Sequence, residues 1–313
     1  MKASGSGASI FSAQFNQTST GSLDVQSGTV RLDQGGSLDG TLSSTGATLW
    51  LNAGTFGFAD ETDVTLSDYR TSATVDMSNI TDLTFNNVSQ TAGTFTLDHP
   101  GVVIEGDFSH TAGTFVPGKG RLIFASGSEQ NLSLSTPTEF FILEVSPGTT
   151  LVETNVTDHA TVSGFLRNRG TIRKTRAITG PGTVSFGLTD IELNVTEAGS
   201  LTEMQVDRIW GDHPSSAPPT MPDFYWQLTP TGGGATADVT LYHCYQPDTE
   251  ALLCRWTGAS WDCGNDFSTQ ISITRQGVTE FGDWSAGAVD PLTFMTGFEC
   301  GNVSAVTDVF GLC

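Results

Sequence analysis

The chain has 313 residues, of which 37% are apolar, and its 13 basic and 34 acidic side chains leave a net charge of −21. Neutralising phosphate takes Lys and Arg, so this balance disfavours nucleic acid and anionic membrane as partners. No run of about 18 apolar residues is present to form a membrane span. The start, Met1 to Gly7, lacks the apolar core of a signal peptide, so an export signal is expected upstream of this chain.

From about residue 8 to residue 200 one short phrase recurs. Thr-Ala-Gly-Thr-Phe stands at Thr91 to Phe95 and again, 20 residues on, at Thr111 to Phe115, and Ala53 to Phe56 repeats its core. Looser copies run from Ser27 to Val30, Arg169 to Ile172 and Pro181 to Val184. A unit of this length, with Gly opening a β-branched or aromatic run, predicts a β-solenoid. At roughly 20 residues per turn the segment makes about nine turns, and at about 4.8 Å each these stack to a rod on the order of 45 Å. Strands are expected at Thr48–Leu51, Val102–Ile104, Arg121–Phe124 and Phe140–Val145, with turns at 33–36, 117–120 and 179–182. Helical periodicity is nearly absent.

Asn precedes several strands, at Asn87, Asn155 and Asn194. Asn tolerates a left-handed turn and its amide can bond along a stack, which predicts turn corners; the same triplets also fit the glycosylation acceptor pattern. Glu105 and Asp107 lie two residues apart on one strand face, a spacing that could hold a metal or suit acid/base chemistry, with Arg121 approaching from the next turn. The plainer reading puts both on the solvated outer face, with Ile104 and Phe108 inside. Five basic residues crowd ten positions: Arg167, Arg169, Arg173, Lys174 and Arg176. They could dock an anionic glycan, or they could offset neighbouring acids such as Glu153, Asp158 and Glu192.

The character changes near residue 205. Four prolines crowd a linker-like stretch, 213–223, and alternating runs follow at 225–228, 238–244, 252–256 and 270–273, the pattern of a small antiparallel sandwich. All five cysteines lie in this part. Cys254 and Cys263 flank a turn at 257–260, which sets Cys254 opposite Cys263 and Trp256 opposite Trp261 across a hairpin. Cys300 and Cys313 are the candidate tail disulfide, leaving Cys244 odd, and disulfides imply an oxidising compartment. Trp256 and Trp261 could form a sugar-stacking platform, although paired tryptophans across a hairpin also pack on one another.

The stretch Val103 to Gly118, and the block from Leu122 to Leu143, resemble repeats of large bacterial secreted and cell-surface β-solenoid proteins. The segments Val206 to Trp226 and Val278 to Trp284 resemble the β-sandwich module that follows such repeats. Thr296 to Asn302 is similar to a tail at the C-termini of exported bacterial proteins. The resemblance implies an extracellular or cell-surface protein of structural or adhesive role.

The expected fold is therefore all-β: a right-handed parallel β-helix or solenoid over 1–204, a small antiparallel β-sandwich over 205–295, and a C-terminal tail over 296–313. No nucleophile elbow, zinc-site spacing, phosphate loop or calcium-binding nonapeptide is present. No catalytic residue, metal ligand or cofactor is expected, and Ca²⁺, which the acidity permits, has no motif behind it. The expected function is non-enzymatic, a stiff spacer for adhesion or assembly. Its expected partners are a second copy head to tail, through unpaired edges of the terminal turns, or surface glycans. The alternative is a carbohydrate-binding module of a larger secreted protein using Arg167, Arg169, Arg173, Lys174, Arg176, Trp256 or Trp261. A polysaccharide lyase or hydrolase ranks last.

Overall fold

Alternation of apolar and polar residues at every second position lets each short strand bury one face. That pattern organises the computed structural model, which describes residues 2–3, 7–59, 62–78, 80, 82–215, 224–242, 251–269 and 271–288. The chain forms a parallel β-solenoid of about 8 turns and an antiparallel region toward the C-terminus. Among the described residues the one helical element is a 3-10 turn, Gly187–Thr189. The contacts divide the chain into two compact units, Met1–Thr149 and Thr150–Cys313.

In the first unit each full solenoid turn contributes three strands, and each strand pairs in parallel with its equivalent in the next turn. One interior column runs Leu23, Leu42, Val64, Leu83, Val102, Leu122, Leu143, each the register partner of the one before. A second runs Val30, Leu49, Tyr69, Val88, Phe108, Leu132. A third runs Phe56, Val75, Phe95, Phe115. Apart from half-buried Phe115, all of these are buried, and full burial of each such side chain stabilises by about 1.5–3 kcal/mol. The turn length varies: Leu23 to Leu42 is 19 residues and Phe108 to Leu132 is 24, the longer turn looping out between strands.

The aromatic members stack inside. Phe95 and Phe115 have ring centroids 5.8 Å apart, and Phe115 also meets Phe108 at 5.6 Å and Phe140 at 5.6 Å. The recurring phrase has a steric cause. Gly93 and Gly113 take positive φ of 66° and 98°, and a β-carbon on Gly93 would stand 2.1 Å from the Ala73 carbonyl oxygen of the neighbouring turn. Glycine marks a corner where successive turns touch backbone to backbone.

In the second unit two sheets enclose one core. The first has the order Thr150–Glu153, Thr171–Ala177, Glu203–Trp210, Phe224–Thr231, Gly282–Ala288, Ala251–Trp256, Trp261–Gly264. Only its first pair is parallel. The second runs Gly182–Ser185, Ile191–Glu197, Thr236–Tyr242, Ser272–Val278, Phe267–Ser268, antiparallel throughout. Leu193, Val239 and Ile273 of the second sheet pack with Val206, Trp226 and Trp284 of the first.

The antiparallel part thus begins well before the boundary expected at 204/205. The Gly-Thr-Val copy at 182–184 is not a solenoid turn but one arm of an antiparallel hairpin. A single Gly-led apolar run suits either arrangement, and only its pairing partner distinguishes them. Asn194 likewise occupies no turn corner: its Nδ2 donates to Asp238 Oδ2 at 3.0 Å across the antiparallel pair. Asn87 lies within the strand Asp82–Gln90 rather than ahead of one, but its amide does bond along the stack, Oδ1 accepting from Asp107 N at 2.8 Å.

Candidate functional site

The hairpin of Ala251–Trp256 and Trp261–Gly264 closes as its sequence predicts. Thr257 N donates to Ser260 O at 3.0 Å, and the register sets Cys254 opposite Cys263 and Trp256 opposite Trp261. The disulfide Cys254–Cys263 is formed. Cys244, Cys300 and Cys313 lie outside the described residues.

The tryptophan pair has company that the sequence did not announce. The rings of Trp256 and Trp261 are 5.5 Å apart, and His213 approaches both, at 5.6 and 5.0 Å, and Tyr225 at 4.9 Å. Along Phe224–Thr231, Trp226 and Leu228 point into the core, so Tyr225 and Gln227 share the opposite face. Gln227 is the register partner of Asp283 and donates Nε2–H to its Oδ1 at 3.0 Å. Asp283 Oδ2 in turn lies 2.9 Å from His213 Nε2. Burial pushes the Tyr225 phenol up, and the charges of Asp283 and Asp207 add to this.

The result is three aromatic faces, two of them half-buried tryptophans, gathered around an imidazole, with carboxylate and amide groups beside it. Flat apolar faces beside paired hydrogen-bond groups suit a sugar ring, whose C–H face stacks while its hydroxyls bond. Ser215 Oγ also lies 2.5 Å from His213 Nδ1. That nitrogen faces the Ser215 backbone N–H as well, at 3.2 Å, which marks a local turn rather than a poised nucleophile. The alternating run at 225–228 holds the signal for Tyr225; His213, in a proline-rich stretch, carries none.

The basic cluster divides. Arg173 makes a two-pronged pair with Asp207 at 2.8 and 3.0 Å. Lys174 is fully buried against Glu153 and Asp158, and Arg176 reaches Asp158 and the Ser185 carbonyl. Arg167 and Arg169 are exposed. Arg173, Lys174 and Arg176 are therefore each paired with a carboxylate within the second unit.

In the first unit Glu105 and Asp107 are exposed on a corner between strands, with Ile104 and Phe108 inside. Asp107 accepts from Asn131 N at 2.7 Å, while Arg121 pairs with Glu144 at 3.3 Å. A shallow polar groove runs past Thr48, Asp68, Asn87, Asp107 and Ser109. No group of three or more metal-ligating side chains converges among the described residues. No helix among the described residues is long and apolar enough to cross a membrane. No protein-family model matches the chain, and no curated protein or solved structure matches it. What the fold defines is a class: a β-solenoid joined in sequence to a disulfide-stapled antiparallel sandwich.

Proposed function

We propose that this chain is a non-enzymatic, extracellular structural or adhesive protein in which the solenoid serves as a rigid spacer. One observation carries the reading: the outward polar side chains of the solenoid bond to their neighbours in the stack. Ser43 Oγ bonds Asp24 at 3.2 Å, Thr48 Oγ1 bonds Asp68 at 2.7 Å, Asn52 bonds Asp33 at 3.0 Å, and Asn131 Nδ2 bonds Asp107 at 3.2 Å. Side chains that ladder to one another stiffen a surface and leave less of it for recognition. The disulfide fits an oxidising compartment, which supports an extracellular setting. Head-to-tail assembly through exposed strand edges is part of the same proposal. Electron microscopy and sedimentation of the purified chain, with and without calcium, test assembly. Ordered filaments support it, and a monomer at high concentration in both conditions rules it out.

A second reading rests on the aromatic cluster: carbohydrate binding by the sandwich, with Trp256 and Trp261 as stacking faces. A glycan array probed with the wild type and with Trp261→Ala checks this. Binding that disappears in the variant supports it, and a blank array across neutral and acidic glycans removes it.

A further inference from the structure

The second unit buries a lysine among carboxylates in a way that neither scaffolding nor sugar binding uses. Glu153 and Lys174 are direct register partners across the parallel pair of Thr150–Glu153 and Thr171–Ala177. Nζ of Lys174 lies 2.7 Å from Glu153 Oε1 and 2.5 Å from Asp158 Oδ1. Neither the Lys174 nor the Glu153 side chain has any exposed surface, whereas Asp158 is 26% exposed and pairs with Arg176 at 3.3 Å. The turn Gly187–Thr189 covers the pocket. Leu188 N donates to Glu153 Oε2 at 3.4 Å, and a β-carbon on Gly187 would stand 2.6 Å from that oxygen. Glycine at 187 keeps room for the carboxylate.

We propose that Lys174 and Glu153 condense to an intramolecular isopeptide bond, with Asp158 as the proton-transfer group. In the buried pair the ammonium can give its proton to a carboxylate, leaving amine beside acid, because low dielectric disfavours separated charge. Burial pushes the Glu153 carboxyl up, which favours its neutral, electrophilic form. The Nζ lone pair attacks Cδ of Glu153, and the developing negative charge falls on the oxygen that faces Leu188 N–H. Asp158 Oδ1 takes a proton from Nζ and returns it to the departing hydroxyl. A C–N bond forms, a C–OH bond breaks, and one water leaves, its oxygen from Glu153 and its hydrogens from the ammonium. No oxidant or co-reactant is needed. The two wholly buried charges vanish, and Asp158 with Arg176, both partly exposed, remains as a balanced pair.

The test is the intact mass of the folded protein after reduction of its disulfides, with fragmentation of its peptides. The expected result is a mass lower than the sequence mass by one water, and a peptide in which residues 153 and 174 are linked. Protease cleavage after Lys174 should be lost. Asp158→Ala should restore the full mass while Lys174 remains present; Lys174→Arg should do the same, and its folding can be checked separately by circular dichroism. A wild-type mass equal to the sequence, with free Lys174 in the peptide map, overturns the proposal. A linked peptide joining Lys174 to Asp158 instead of Glu153 overturns the assignment of roles.

Discussion

A β-carbon added to Gly113 would stand 2.6 Å from the carbonyl oxygen of Gly93, one solenoid turn away. The contact is backbone to backbone, so no flexible side chain can yield. Gly127 also has positive φ, 67°, but open space around it. Placing Ala in that backbone region costs about 1–2 kcal/mol, which is the expectation for Gly127→Ala. Gly113→Ala should cost more, since the clash adds to the same backbone term. Urea denaturation of the two variants measures the difference, and equal losses would dismiss the close approach as the reason for the repeated glycine.

Phe108 joins two parts of the interior aromatic stack, 5.6 Å from Phe115 and 5.9 Å from Phe140, and is fully buried. Phe108→Ala should destabilise by about 3–5 kcal/mol through lost burial and the cavity left behind. Phe267 is 61% exposed, and Phe267→Ala should stay within about 0.5 kcal/mol of the wild type. Thermal melts of both variants decide whether the ring stack supports the solenoid.

Asp190 and Arg208 form a largely buried pair at 2.7 Å. Burial pushes the Asp190 carboxyl from 3.8 up to about 6, against the Arg208 guanidinium, which pulls it down. The folded state therefore holds this proton more tightly than the unfolded chain. Its contribution to stability is fullest below about pH 4 and falls as pH rises to about 6. Asp190→Asn removes that dependence. The stability of wild type minus variant should fall by up to about 3 kcal/mol between pH 4 and pH 7. A difference that is flat with pH would show that Asp190 stays ionised throughout.

The disulfide Cys254–Cys263 closes a loop with a sequence separation of 9. On the chain-entropy account a loop of this size is worth about 2–3 kcal/mol. The double variant Cys254→Ala, Cys263→Ala should lower stability by about that amount. Because the hairpin carries Trp256 and Trp261, tryptophan fluorescence of the folded variant would report whether the aromatic cluster survives without the bond.

Much of the solenoid is legible in the residues themselves. Thr-Ala-Gly-Thr-Phe repeats because each turn meets the next at the same glycine corner, and the strand sites at 48–51, 102–104 and 121–124 emerge where the alternation places them. The disulfide hairpin is legible for the same reason, since its pairing is set by a turn of a few residues. Less legible is the point where parallel stacking gives way to antiparallel pairing. Thr171–Ala177 has a parallel neighbour on one side and an antiparallel one, Glu203–Trp210, on the other, and nothing local to 171–177 announces the switch.

The candidate sites divide along the same line. Trp256 and Trp261 could be named from one hairpin, but His213 and Asp283 stand 70 residues apart and meet only when the sheet is assembled. The basic run from Arg167 to Arg176 reads as one charged stretch, yet alternation along the strand sends Lys174 inward to Glu153 and Arg173 outward to Asp207. Composition, repeat spacing and turn chemistry act over a few residues, so the sequence by itself determined the all-β class, the glycine corners and the stapled hairpin. Which strands pair, which charges are buried and which aromatics gather depend on contacts between distant segments, and only the tertiary structure decided them.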